Sequence, residues 1–157
     1  MRALVLMPIK ELNLRFSQEE MLEALDEINK NQKPLLAFFA ALVGAVPAIV
    51  LYFFFAQMGG VLYIMLALPP ALVGLFARFV GRTYKAKHRI SVGFVGALVH
   101  VIGCVLLEFN PLIYLLTPVA FGIAMVVSKI KLDRVHEWAL DQEETGLLNP
   151  YKQINKD

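Results

Sequence analysis

Residues 34–77 read PLLAFFAALVGAVPAIVLYFFFAQMGGVLYIMLALPPALVGLFA, 44 consecutive positions without an Asp, Glu, Lys, Arg or His. A membrane-spanning helix takes about 20 predominantly apolar residues. The run is therefore long enough for two, and Gln57-Met58-Gly59-Gly60 reads as a tight, uncharged turn between them. A second apolar stretch covers residues 90–128, where Glu108 is the only charge and His100 the only histidine. It too has room for two spans, parted by Glu108-Phe109-Asn110-Pro111 with its Asn-Pro turn signal.

The remaining composition agrees. Of 157 residues, 58% are hydrophobic and only 18% charged, against roughly a quarter charged in soluble domains. The expected fold is an all-α membrane protein: a four-transmembrane-helix bundle with amphipathic cytoplasmic helices at both ends. The spans are placed at about residues 34–56, 61–80, 90–107 and 112–128, within a transmembrane domain of residues 34–128. An N-terminal segment, 1–33, and a C-terminal helix and tail, 129–157, flank it. The opening Met1-Arg2-Ala3-Leu4-Val5-Leu6-Met7-Pro8 is too short an apolar run for a signal peptide and reads as retained.

The 15 Lys and Arg residues set the orientation. All fall in the N-terminal segment, in the middle connection with the adjoining helix end, or in the C-terminal tail, and none in the two short turns. Basic residues accumulate in cytoplasmic loops, so both termini and the stretch Arg82-Thr83-Tyr84-Lys85-Ala86-Lys87-His88-Arg89 belong inside. The small net charge of +2 gives no argument for nucleic acid. The expected location is a plasma membrane, read as a bacterial inner membrane.

Both flanks predict helices. Ser17-Gln18-Glu19-Glu20 is a capping box, followed by Met21, Leu22, Leu25 and Ile28 at helical spacing. Leu132, Val135, Trp138, Ala139 and Leu140 carry an apolar side through a charged helix to about Glu144. Such helices lie along the membrane or pack on the bundle; the sharper alternative is a docking surface for a partner protein. The acidic N-terminal helix should avoid anionic lipid and favour the basic middle connection.

Lipid offers helices no hydrophobic incentive to associate, so they meet where small residues let backbones approach. Ala37, Ala41 and Ala45, with Ala40, Gly44 and Ala48, form such rows in the first span. Ala67, Ala71, Gly74, Ala77 and Gly81 do so in the second, Gly93, Gly96 and Gly103 in the third, and Ala120 with Ala124 in the fourth. Pro47, Pro69-Pro70 and Pro118 fall inside three of the spans. Each weakens the bond to the carbonyl four residues back, which selects Val43, Met65, Leu66 and Tyr114. His100 falls at about the same depth on the remaining span.

His100, Cys104 and Glu108 form the candidate intramembrane polar site. An ionisable group inside the bilayer is expensive and marks a functional candidate. The plain reading of His100 is a neutral imidazole that satisfies a proline-freed carbonyl or a Tyr hydroxyl across a helix interface. A proton or substrate carrier is the second reading, since histidine titrates near neutral pH. Haem ligation is a third, and it lacks a second histidine at that depth. Cys104 and Glu108 follow at i+4 and i+8: one a small packing residue, the other a solvated helix-end carboxylate or an entry point toward His100. Arg78, Arg82, Lys85, Lys87 and Arg89 form a basic collar, explained by orientation and lipid phosphate or by an anionic ligand or acidic partner.

No phosphate loop, His-Glu-x-x-His, paired cysteine motif or nucleophile elbow occurs, so no catalytic residue, metal ligand set or cofactor is expected, and no enzyme activity. The leading expectation is a protein acting through helix and partner contacts, as a subunit, assembly factor or regulator. The alternative is a small oligomeric transporter or channel with a path near His100 and Glu108. The expected partners are the lipid bilayer, a membrane or cytoplasmic protein, or a second copy of the chain.

Overall fold

The computed structural model describes residues 16–59 and 62–148. The opening run 1–8, Gly60 of the first turn and the tail 149–157 lie outside the described residues. Every regular element among the described residues is helical: α1 (Gln18–Asn31), α2 (Pro34–Gln57), α3 (Leu62–Gly81), α4 (Ala86–Leu106), a 3₁₀ helix (Pro111–Leu116), α5 (Thr117–Val127) and α6 (Arg134–Glu144). The chain divides into two compact units. One is Ile28–Leu132, and the other combines Met1–Glu27 with Asp133–Asp157.

In the Ile28–Leu132 unit, α2, α3 and α4 are each long and apolar enough to cross a membrane. In α2 the side chains are sorted by size, with the buried Tyr52 as the exception. α2 buries Ala37, Ala40, Ala41, Gly44 and Ala48, while Leu35, Phe39, Val43, Val46, Val50 and Phe53 stand exposed, Leu35 at 76%. Phe79 of α3 is 73% exposed, and Phe94 and Leu98 of α4 are exposed as well. Water would drive the larger side chains inward. Lipid does not, and it leaves close backbone approach to decide which face is buried. This arrangement points to a membrane location.

The small residues sit where the helices touch. Gly81 lies so close to Ala37 that a Cβ would overlap it, and a Cβ at Gly74 would stand 2.5 Å from the carbonyl oxygen of Ala124. α3 and α4 pack on each other and each packs on both α2 and α5. Pro34 opens α2, where its missing N–H leaves no gap. The backbone N–H of Lys33 donates to Gly81 O (3.1 Å), and that of Lys85 donates to Gln32 Oε1 (3.2 Å). α2 and α3 continue unbroken through Pro47 and Pro69-Pro70.

The fourth apolar segment departs from expectation. Pro111–Val127 is shorter than the other three and winds in two ways, its first six residues as a 3₁₀ helix. Asn110 Oδ1 accepts from the Leu112 N–H (3.0 Å) to start it. Pro118 is thus not interior to an α-helix but in the first turn of α5, where the absent N–H costs nothing. α4 also begins earlier than its apolar run, at Ala86, so Lys87, His88 and Arg89 are helical. Charge marks where a helix should leave lipid, not where its hydrogen bonds stop.

The flanking unit is built in the usual aqueous sense. The capping box forms as read: Glu20 N–H donates to Ser17 Oγ (3.2 Å), and Ser17 N–H donates to Glu20 Oε2 (2.8 Å). Met21, Ala24 and Leu25 of α1 are buried with Ala139 of α6 and Leu148, flanked by Leu22, Val135 and Leu140. His136 Nε2 donates to Glu27 Oε2 across the pair (3.3 Å). Trp138, expected on the apolar side, is exposed. The apolar faces of the two flanking helices therefore cover each other, and the Met21/Leu25 face is not open for docking.

Candidate functional site

α4 presents His100 and Cys104 one turn apart, both buried. From α2, the Tyr52 ring lies against Gly103, where a Cβ would come within 2.8 Å of it. Only a glycine there admits the ring, and the approach brings Tyr52 OH to 2.9 Å from His100 Nδ1. On the other side, His100 Nε2 is 3.3 Å from the carbonyl oxygen of Ile113. A carbonyl only accepts, so Nε2 carries the hydrogen, and in a neutral ring Nδ1 then accepts from the tyrosine hydroxyl. Both ring nitrogens are satisfied, and α2, α4 and the 3₁₀ helix are joined through one imidazole.

Histidine does not use a carbonyl freed by proline. Tyr114 O, which Pro118 leaves without its helical donor, accepts from Thr117 N–H and from Thr117 Oγ1 (2.7 Å). Ile113, one residue earlier, is the partner instead, because 3₁₀ winding changes which carbonyls face α4.

Cys104 Sγ lies 3.6 Å from His100 Nε2. That nitrogen bears the hydrogen committed to Ile113, so it cannot take a proton from the thiol. The pair therefore has the wrong polarity for an activated cysteine, which needs a basic neighbour. Glu108 does not extend this line. It lies past the end of α4, is exposed, and has a left-handed backbone with φ 50°. Phe109 N–H donates to Cys104 O (3.0 Å) and Glu108 N–H to Val105 O (3.3 Å), the Schellman closure that usually employs glycine at this position. The structure thus joins His100 and Cys104 and separates Glu108 from them.

Tyr52 is the residue that sequence reading left unnamed. It continues the row Ala41, Ala45, Ala48 at helical spacing, so a hydroxyl on the small-residue side of the first span was a visible signal. Among the described residues no three His, Cys, Asp or Glu side chains converge as metal ligands do.

No family model, curated protein or solved structure matches this chain. Its role therefore rests on the arrangement of its own residues.

The collar residues occupy one end of the Ile28–Leu132 unit. Arg78 is in the last turn of α3, Arg82 follows with φ 46°, Lys85 is the N-cap of α4, and Lys87 and Arg89 lie in its first turns. Arg82 and Lys87 are exposed. Thr83, between them, is fully buried, and its Oγ1 has no hydrogen-bond partner among the described residues.

Proposed function

We propose that this chain is a four-span protein of a bacterial inner membrane, with both termini and the basic connection cytoplasmic. In this reading it acts by contact, as a subunit, assembly factor or regulator, and not by catalysis. The fourth span is Pro111–Val127. Six residues at the 3₁₀ rise and eleven at the α rise extend it to about 28 Å, close to the ~30 Å hydrocarbon core.

The observation that carries the contact role is the closed hydrogen bonding of His100. A transport site needs a polar group able to exchange partners with its cargo. Here Tyr52 and Ile113 occupy both nitrogens of a buried ring, and Glu108 stands apart from it. The polar centre works as an interhelical lock. With the apolar sides of α1 and α6 covering each other, the exposed acidic side of α1 (Glu19, Glu23) is the surface available to a partner.

The test combines two measurements on the whole chain. Purification in native nanodiscs with mass spectrometry should yield a stoichiometric protein partner, and Glu19→Lys with Glu23→Lys should remove it. Reconstituted vesicles should show no proton or cation flux above empty vesicles. A flux that His100→Ala abolishes, from a chain purifying without a partner, would overturn the reading in favour of a transporter.

A further inference from the structure

An apolar groove of about 440 Å³ runs between α2 and α4. Phe38, Leu42 and Ile49 of α2 and Phe94 and Leu98 of α4 wall it, and Thr117 at the start of α5 lines it too. Its outer walls are open: Phe94 is 65% and Leu98 57% exposed. α2 and α4 both begin at the basic end of their unit and run away from it, so the groove has a basic end and a neutral one.

Its dimensions favour one occupant. Phe38 and Ile49 are eleven residues apart, about 16 Å along the helix, or half of the ~30 Å hydrocarbon core. The groove therefore matches the depth of one leaflet. A volume of about 440 Å³ over that length makes a slender, elongated groove. A single hydrocarbon chain fits. Charge selects the rest of the molecule. Lys87 precedes Phe94 by seven residues, two helical turns, and so lies on the groove side of α4. It is exposed.

We propose that this groove seats an anionic phospholipid, with one acyl chain between α2 and α4 and the headgroup phosphate at Lys87. The proposal rests on the membrane location and is independent of the contact role. A lipid held here would fill the seam between α2 and α4 above the Tyr52–His100 bond that joins the same two helices.

Contact quenching by brominated acyl chains tests it. Leu98→Trp in a Trp138→Phe background is reconstituted, as the full chain, into phosphatidylcholine vesicles with increasing brominated phosphatidylglycerol or brominated phosphatidylcholine. Val46→Trp, exposed but outside the groove, serves as the reference. We expect Leu98→Trp to favour the anionic lipid about fivefold in relative affinity, Val46→Trp to show no preference, and Lys87→Gln to bring position 98 to parity. Equal quenching by both lipids at position 98 would overturn the proposal. Weak quenching by both at 98 with normal quenching at 46 would also overturn it, in favour of a second copy covering the groove. Absence of quenching at both positions would remove the membrane location itself.

Discussion

The two units of this chain bury opposite things. Between Ile28 and Leu132 the helix contacts are built on alanine and glycine with Val73, Val92, Val95 and Val99, while most of the leucine and phenylalanine side chains that α2 carries stand exposed. In the flanking unit α1 hides Met21 and Leu25 against Ala139 and Leu148 and exposes Glu19, Glu20, Glu23 and Glu27. The same backbone geometry serves both, so the difference lies in the solvent. Water makes large apolar side chains the ones to bury, at roughly 25 cal/mol per Å². Lipid is indifferent to them, and the buried face then goes to whatever allows two backbones closest together.

The comparison predicts opposite responses to changes of side-chain size. The largest effect should come from enlarging a small residue in the apolar unit. Gly81→Val would drive a side chain into Ala37 and should cost about 3 kcal/mol, read as an earlier unfolding midpoint in a detergent titration. An unchanged midpoint would mean that the α2–α3 approach does not hold that unit together.

Next come two truncations that should differ although both remove a large apolar side chain. Leu25→Ala, at a site 1% exposed, should loosen the flanking unit by about 2 kcal/mol, visible as faster amide exchange in α1 and α6. Phe39→Ala, 60% exposed, should stay within about 0.5 kcal/mol. Equal costs would break the comparison.

A smaller effect is expected at the polar centre. Tyr52→Phe keeps the ring over Gly103 and removes only the hydroxyl donor to His100, so it should cost about 1 kcal/mol. A double-mutant cycle with His100→Leu should recover most of that as coupling; a cycle with no coupling would detach the hydroxyl from the lock.

The smallest effects sharpen the contrast at two matching helix ends. α4 and α6 both close in a Schellman arrangement, with Glu108 at φ 50° in one and Gly146 at φ 72° in the other. Glu108→Gly should stabilise by up to about 1 kcal/mol, and Gly146→Ala should destabilise by a similar amount. A loss on Glu108→Gly would show that the carboxylate contributes something its backbone geometry does not reveal.

How far these features were legible follows from what each depends on. α2 and most of α3 follow the uncharged run because it holds no charge that would end an apolar helix. The Ser17 cap was readable because its partners are three residues apart. The start of α4 was not, since basic residues are tolerated in a helix that has already left the apolar layer. Nor was the 3₁₀ winding of Pro111–Leu116, because helix pitch depends on tertiary partners and leaves no periodicity in six uniformly apolar residues. At the polar centre, His100 stood out by its rarity. Its partners are a hydroxyl 48 residues away and a backbone carbonyl, and a carbonyl has no letter in the sequence.

That carbonyl has a mechanical consequence. A 3₁₀ turn is a narrower, steeper thread than an α turn: rewinding Pro111–Leu116 to α would shorten it by about 3 Å and rotate its far end by roughly a third of a revolution. Ile113 O would swing off the imidazole as it did so. The Nε2–H···O bond is thus a ratchet pawl set against that rewinding, and any force that shortens this segment must first release a hydrogen bond at the buried heart of its unit.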